Sequence, residues 1–331
     1  MSKATTSGTA ALPSAQALAL YECMSLVRRV EQALTRLFAD SEVPGFIHLS
    51  IGQEAVAAGV ASAMRPQDTL ATTHRGHGHV LARGMDVTGF MKEIMGRQGG
   101  LCKGRGGSMH VADLSLGILG ANGIVGAGIP IALGSAMAHA IRKTEGMAVA
   151  FFGDGAMAEG VLHETLNMAA LWKSPLLLVC ENNGWSEFSP TSRQFAARLE
   201  GLAKAFGVSY RLVDGNDVQA VADAAGAAAE RLRAGEGPFV LECVTHRVRG
   251  HFEGDAQKYR DAEEIRNLDV HDPLGRARRV MQEAGVPAAD LDAIDARMAK
   301  QVEAAIEAAR ADALPAFEAA AADVYTQESC A

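Results

Sequence analysis

Long hydrophobic runs are missing from this 331-residue sequence, and no apolar segment approaches the roughly 20 residues that a membrane-spanning helix needs. Cysteine is scarce as well: the five cysteines form no CxxC pair, so they predict neither a disulfide framework nor a zinc site. Basic residues are outnumbered, and the net charge of −8 argues against a general nucleic-acid or anionic-membrane surface. We therefore expect a globular protein with reduced thiols and with neither nucleic acid nor membrane as a partner.

The first residues also lack the features of a targeting segment. The stretch MSKATTSGTAALPSAQ has one lysine, no arginine and no apolar core, and it matches neither a secretory signal nor a convincing transit peptide. The sequence predicts a flexible arm over residues 1–15, a single α/β domain over residues 16–331 and a cytoplasmic location.

Apolar segments of strand length alternate with helical patterns along most of the chain. The strand-like segments are residues 147–152, 176–180, 208–213 and 238–245. Helical spacing separates them, and it also covers residues 14–38 and much of the chain after Asp272. The alternation predicts an α/β fold in which helices flank a parallel sheet, with an N-terminal helical arm and C-terminal helices.

Polar residues follow two of these strands at the point where each strand ends. Asp154 lies in a Gly-Asp-Gly turn after the first strand, and Asn182-Asn183 follows the second strand after an intervening helix. Such a crossover makes the two strands parallel, so Asp154 and Asn183 should meet at one edge of the sheet. Carboxylate and amide oxygens are suitable ligands for Mg²⁺.

The surroundings of Asp154 favour an anion beside that metal ion. The glycines on either side, including Gly155, let a large anion approach the backbone, and a helix predicted to begin near Ala156 would aim its free N–H groups at the same place. The physical interpretation is a Mg²⁺-diphosphate site. An alternative is that Asp154 only caps the helix while Asn182 and Asn183 only form a turn.

The string GDGAMAEG…NMAALWK…ENN resembles the α subunits of 2-oxoacid dehydrogenase E1 components, and the likeness runs roughly from residue 28 to residue 260. The resemblance implies the thiamine-diphosphate-binding fold, with thiamine diphosphate and Mg²⁺ as cofactors. It also implies two partners. One is an E1 β subunit, in an α2β2 heterotetramer, whose glutamate activates the cofactor, and the other is a lipoyl-bearing E2 acyltransferase.

The resemblance assigns the residues that hold the cofactor. The Asp154 carboxylate, the Asn183 side chain and the Trp185 backbone carbonyl would be the protein ligands of Mg²⁺. Gly123 and Val125, in the string Asn-Gly-Ile-Val-Gly, would offer backbone contacts to the pyrimidine side of thiamine diphosphate.

Four more positions follow from the same resemblance. Arg75 would contact the diphosphate, His77 would line the channel to the active site, and His251 would face the cofactor and move protons or stabilise an intermediate. His74 stands where the α subunits usually carry tyrosine, and a histidine there can still donate a hydrogen bond to phosphate.

The substrate is predicted from three strings, THRGHGH, LGANGIVGAGIPIA and RGHFEGD, which look closer to acetoin dehydrogenase α subunits than to those of pyruvate or branched-chain enzymes. That likeness implies cleavage of acetoin to acetaldehyde and a two-carbon unit that passes to lipoamide. Pyruvate or another 2-oxoacid remains the alternative substrate.

Two hypotheses from other classes stay open at this point. His77 and His79, in a loop predicted after a short strand, form a His-x-His pair, which is typical of metal ligands and favours a metal-dependent hydrolase. The chain also fits a noncatalytic subunit that serves only assembly.

Overall fold

A six-stranded parallel sheet forms the centre of the computed structural model, which describes residues 14–321. The strands of this sheet are β1 (Thr69–Thr73), β2 (Ile118–Asn122), β3 (Ala148–Gly153), β4 (Leu176–Asn182), β7 (Ser209–Asp214) and β8 (Phe239–Val244). Their order across the sheet is β2-β1-β3-β4-β8-β7, and every neighbouring pair is parallel. A short antiparallel pair, β5 (Trp185–Ser186) and β6 (Ser189–Pro190), follows β4.

Helices cover both faces of the sheet. Along the chain they are α1 (Ser14–Ala39), α2 (Glu54–Ser62), α3 (His77–Ala82), α4 (Val87–Ile94), α5 (Gly128–Arg142), α6 (Gly160–Leu171), α7 (Leu199–Ala205), α8 (Val218–Arg233), α9 (Ala262–Arg266), α10 (Pro273–Glu283) and α11 (Ala288–Arg310). The predicted α/β class, parallel sheet, N-terminal helix and C-terminal helices are confirmed. None of the helices in the described range has the length and apolarity needed to cross a membrane.

Side-chain alternation explains why the two central strands are continuously apolar. Val149 and Phe151 of β3 pack in one core with residues of α1, α4, α8 and α11. Ala150 and Phe152 point to the opposite face and pack in a second core with residues of α5 and α6. Because both faces of a central parallel strand are covered, every residue of β3 before Gly153 is buried.

Three local expectations differ from the structure. The helix expected near Ala156 begins as a 3-10 turn over Asp154–Ala158, and α6 starts only at Gly160. His77 and His79 were expected in a loop but lie on α3. The predicted arm, residues 1–15, lies mostly outside the described residues, and its residues 14 and 15 already belong to α1.

Candidate active site

A cavity of about 240 Å³ opens at the carboxyl ends of β1, β3 and β4. Ligands in open α/β sheets bind at this edge because the loops that leave the strands form a crevice there. All of the predicted site residues except His77 line the cavity; they are His74, Arg75, Gly123, Val125, Asp154, Gly155, Ala156, Asn183, Trp185 and His251. Residues far apart in sequence therefore meet at one place.

Asp154 occupies the floor of the cavity at the end of β3. Its side chain is 1% exposed and accepts a hydrogen bond from the Thr191 hydroxyl. Burial raises the pKa of this carboxyl, while the bonds from Thr191 and from the backbone of Asp154 and Asn183 oppose that shift. The Asp154 side chain caps no helix, so the capping alternative does not hold.

Asn183 presents its side-chain amide from the end of the neighbouring strand, β4. Its Nδ2 donates to Gln53 Oε1 at 3.0 Å, and its Oδ1 accepts from the Trp185 backbone N–H at 3.1 Å. The turn that the alternative interpretation expected is therefore present. An amide oxygen has a second lone pair, so the turn leaves Asn183 able to bind a cation.

Close approach between chain segments explains Gly155 beside Asp154. A Cβ on Gly155 would lie 2.3 Å from Ser186 Oγ, which is far inside van der Waals contact. The short β5–β6 hairpin therefore presses against the turn that carries Asp154, and only glycine leaves the backbone in place.

Arg75 links two segments of the chain at the cavity through hydrogen bonds. Its guanidinium donates to the Leu49 carbonyl and to the His251 carbonyl, both at 2.8 Å. These bonds use two of its five N–H donors. Burial, and secondly the nearby Arg247, lower the pKa of Arg75 to about 9.

Three histidines, which we call the cavity histidines, also line the cavity: His48, His74 and His251. Their ring centroids are 4.7 Å apart for His48 and His74, 5.0 Å for His48 and His251, and 5.5 Å for His74 and His251. Burial is the main cause that lowers their pKa values, and the positive charge of Arg75 is the second. The pKa values are about 3 for His48, about 2 for His74 and about 4 for His251, so all three rings are neutral at pH 7.

The comparison with protein families matches residues 22–318 to the dehydrogenase E1 component. The chain is 42% identical to the α subunit of acetoin:2,6-dichlorophenolindophenol oxidoreductase from Bacillus subtilis, over 95% of both chains. It is 44% identical to the corresponding subunit from Cupriavidus necator, over 93% of both chains. The pyruvate dehydrogenase E1 α subunit of Zymomonas mobilis is 41% identical over 93% of this chain and 87% of its own length.

The chain belongs to the dehydrogenase E1 component family. Family membership implies thiamine diphosphate as the cofactor, and the naming of the relatives as α subunits implies a partner subunit. The residues present in the cavity fit that cofactor. A buried carboxylate and an amide oxygen line the cavity, Gly153 leaves room for an anion because nothing lies within 4 Å of a Cβ placed there, and Nδ1 of the buried His48 has no hydrogen-bond partner in residues 14–321.

The position of His77 in this E1 chain corrects one expectation. His77 is fully buried behind the cavity wall, where Nδ1 lies 3.1 Å from Glu31 Oε2 and Nε2 lies 2.7 Å from Ser108 Oγ. It therefore does not line the channel within this chain.

The hydrogen-bond partners of His79 are also evidence against the hypothesis of a metal-dependent hydrolase. Its Nδ1 lies 2.7 Å from Thr72 Oγ1, its Nε2 lies 3.2 Å from Glu181 Oε1, and its ring stacks on Phe151. With the bonds of His77, all four ring nitrogens of the pair are engaged by protein groups. The hydrolase interpretation that rested on this pair is wrong.

The cavity residues that were missed from the sequence include His48, Gln53, Glu181 and Arg247. Gln53 orients the Asn183 amide, and Arg247 donates to the Glu187 carbonyl at 3.1 Å and to the Tyr259 hydroxyl at 2.9 Å. His48 and Gln53 belong to the segment HLSIGQEA, which resembles the opening segment of the family, and that resemblance was the signal that could have found them.

Proposed function

We propose that this chain is the α subunit of an E1 component that cleaves acetoin to acetaldehyde and a two-carbon unit, which a lipoyl-bearing E2 acyltransferase receives. The supporting observation is the identity of 42% and 44% to two acetoin:2,6-dichlorophenolindophenol oxidoreductase α subunits across nearly their whole length. The cavity provides the matching chemistry, because its donors suit a cofactor that carries a diphosphate.

Mg²⁺ would be held by the Asp154 carboxylate, the Asn183 amide oxygen and the Trp185 backbone carbonyl. The first two side chains stand at the ends of adjacent strands, and Gln53 fixes the direction of the Asn183 amide. Arg75 and His74 would contact the diphosphate, and Gly123, Val125, Gly155 and Ala156 would contact the cofactor through their backbones. Thiamine diphosphate supplies the ring that stabilises a carbanion.

His251 is the proposed group for proton movement in this chain. Its ring is half-buried, it faces the cavity, and its nearest hydrogen-bonding contact is a long one, 3.5 Å from Nδ1 to Arg247 Nη1. The His251 backbone N–H donates to Asp255 Oδ2 at 2.8 Å, which anchors the loop that carries the ring. Its unprotonated ring nitrogen has a lone pair that can accept a proton released during the reaction.

A β subunit would complete the site, in an α2β2 heterotetramer. The cavity of about 240 Å³ is smaller than the roughly 300–1,000 Å³ of pockets that enclose ligands of this size. Its rim is apolar and uncovered: Ile124 is 73% exposed and Val125 is 47% exposed. Leu171 and Trp172, at the end of α6, are likewise exposed. Large apolar side chains that face solvent mark surfaces for a protein partner.

The test compares substrates on an assembled enzyme. The chain is purified alone, with a coexpressed β subunit, and with that subunit plus thiamine diphosphate and Mg²⁺, and the reduction of 2,6-dichlorophenolindophenol is followed. We expect turnover only in the last case, with acetoin at least about tenfold faster than pyruvate, since tenfold corresponds to about 1.4 kcal/mol of differential transition-state binding. Full turnover by the chain alone would contradict the need for a partner.

Pyruvate is the second candidate substrate because the Zymomonas mobilis relative, named as a pyruvate dehydrogenase E1 α subunit, is 41% identical. A preference for pyruvate in the same assay would replace acetoin while leaving the cofactor and the assembly unchanged. No turnover with either substrate, despite tight cofactor binding, would support the noncatalytic assembly subunit instead.

A further inference from the structure

A glycine-rich loop, residues 99–110 with the sequence GGLCKGRGGSMH, lies between α4 and β2 and has no role in the chemistry proposed above. Its backbone wraps around one side chain, the carboxylate of Glu93 near the end of α4. Each carboxylate oxygen accepts two backbone N–H groups of the loop at 2.7–3.0 Å, those of Cys102 and Gly104 on Oε2 and those of Gly106 and Gly107 on Oε1. An ionised carboxylate has about four acceptor sites, so this loop uses all of them.

Glu93 is itself held firmly by the core. The residue is 0% exposed, and its helix buries Phe90, Met91 and Ile94 among the other core side chains. Gly100 shows how closely the loop follows Glu93, because a Cβ on Gly100 would lie 2.5 Å from Glu93 Oε2 and 2.7 Å from Glu93 Cα. Hydrogen bonds to an ionised group are roughly twice as strong as those between neutral groups. The path of the loop is therefore set by Glu93.

The end of the glycine-rich loop reaches the cavity. Ser108 Oγ lies 2.7 Å from Nε2 of the buried His77, and Met109, the next residue, lines the cavity. A Cβ on Gly123 would lie 3.9 Å from Met109 Sδ, so Met109 borders the segment proposed to contact the pyrimidine side of the cofactor. The loop that Glu93 holds therefore supplies part of the cavity wall.

We propose that Glu93 is a positioning residue of the active site, which acts by holding Met109 in place at the wall of the cofactor cavity. Met109 is half-buried, and its thioether suits an apolar contact with a ring. The effect on turnover rests on the proposed function, whereas the order of the loop and the contact with the cofactor are the same for any substrate. A displacement of about 1 Å in a group that positions reactants can lower the rate by about 100-fold.

Glu93→Gln keeps the size of the side chain but replaces one acceptor oxygen with an NH₂ group. Two of the four loop N–H groups then face a donor instead of an acceptor. Trypsin reports the result, because Lys103 and Arg105 lie in the loop and are exposed. We expect cleavage after these two residues to accelerate at least about tenfold, since one hydrogen bond to a charged group contributes more than a factor of ten.

The cleavage is measured on the full-length chain in the assembly in which it is isolated, and mass spectrometry identifies the sites. Glu230→Gln is the matched control, because it makes the same change at an exposed carboxylate of α8. The control should be cleaved at the rate of the wild type. Cleavage of Glu93→Gln at that same rate would overturn the proposal.

The methyl signal of Met109 tests the contact with the cofactor without turnover. The methionine methyl groups are isotopically labelled for NMR, and the signal of Met109 is the one missing from Met109→Leu. We expect thiamine diphosphate with Mg²⁺ to shift this signal in the wild type. The shift should be lost in Glu93→Gln at a cofactor concentration that saturates the variant in calorimetry. A wild-type signal that does not respond to the cofactor would refute the role of Met109.

A double-mutant cycle tests whether Glu93 acts through Met109. Glu93→Gln and Met109→Ala should each lower kcat for acetoin at least about tenfold, with a smaller change in cofactor affinity. The double variant should lose little more than the more damaged single variant, because both changes remove the same contact. Met109→Leu conserves volume and should retain most of the rate. Losses that multiply in the double variant would show that Glu93 acts by another route.

The arms separate this inference from the proposed function. If the assembled enzyme turns over neither acetoin nor pyruvate, the proposed function fails, and the cleavage and methyl signals still decide the role of Glu93. If the wild type turns over acetoin and Glu93→Gln and Met109→Ala both keep its rate, only this inference fails. Should Glu93→Gln not fold, Glu93→Asp, which keeps both oxygens on a shorter side chain, takes its place in each assay.

Discussion

Two groups of histidines, close in sequence and in space, have opposite surroundings. His77 and His79 are buried, and protein groups engage all four of their ring nitrogens. The cavity histidines His48, His74 and His251 contact one another through their rings. Within residues 14–321 the buried Nδ1 of His48 has no hydrogen-bond partner, and Nδ1 of His251 has a long contact, 3.5 Å to Arg247 Nη1. The first group has the bonding of a structural core and the second has that of a ligand site.

A His-x-His spacing therefore says little about function until the hydrogen-bond partners of each ring nitrogen are known. His74 and His77 are separated by only two residues, yet His74 precedes α3 and faces the cavity, while His77 is the first residue of α3 and points toward α1. Glu31 of α1 contacts the ring of His77 at hydrogen-bonding distance. Burial alone would raise the pKa of Glu31, but His77 and Ser50 more than offset it, so that this pKa lies below its usual value.

The largest effect is expected at the proposed Mg²⁺ ligands, which line the same cavity as the cavity histidines. Asp154→Ala and Asn183→Ala should each abolish Mg²⁺-dependent binding of thiamine diphosphate, because each removes an oxygen ligand at a site that balances the diphosphate charge. Calorimetric titration of the assembled enzyme measures this. Asn182→Ala is the matched control, since the neighbouring amide bonds Glu242 and does not line the cavity; unchanged affinity in both site variants would refute the assignment.

A large effect on stability is expected from the partner of His77. Glu31→Ala should lower the free energy of unfolding by roughly 3–5 kcal/mol, because it leaves His77 and the Ser50 backbone N–H buried without their acceptor. Denaturant unfolding followed by circular dichroism gives the value. Glu22→Ala, a change on the exposed side of α1, is the control, and a loss below about 1 kcal/mol for Glu31→Ala would mean that the buried pair is dispensable.

A further effect is expected from pH. The cavity histidines have pKa values of about 2 to 4 in the folded chain, below the value of about 6.5 in an unfolded chain. Between these limits the unfolded chain binds more protons, so stability should be fully present above pH 6.5 and decline as the pH falls toward 4. His74→Gln should flatten this slope relative to the wild type, and an identical slope in both proteins would show that His74 is not buried in its neutral form.

The sequence was sufficient for features that depend on contiguous residues. The strand-helix-strand unit from residue 147 to residue 185 follows from local apolar patterns, and the parallel crossover then places Asp154 and Asn183 together without further information. The 3-10 turn at Asp154 was not predicted because the glycines that favour anion approach also permit more than one turn geometry.

Features that depend on packing between distant segments could not be predicted. His48 and Gln53 reach the cavity because the segment before α2 lies against the loop after β8, where the Val248 N–H donates to the Ile51 carbonyl at 3.1 Å. Gly52 permits this contact, since a Cβ there would lie 2.3 Å from the His246 carbonyl oxygen. The local sequence pattern does not predict a contact between segments nearly 200 residues apart. The hydrogen bond between His77 and Glu31 could not be predicted for the same reason.

One substitution, histidine to glutamine, separates the roles of the two groups of histidines. His251→Gln and His77→Gln are prepared in the assembled enzyme, and turnover of acetoin, affinity for thiamine diphosphate and the free energy of unfolding are measured on the same preparations. The account predicts that His251→Gln loses about 100-fold or more in turnover, with cofactor affinity and stability nearly unchanged, as expected for a proton-transfer group. It predicts that His77→Gln loses stability first. The reverse pattern, with turnover lost in a stable His77→Gln protein and retained in His251→Gln, would contradict it.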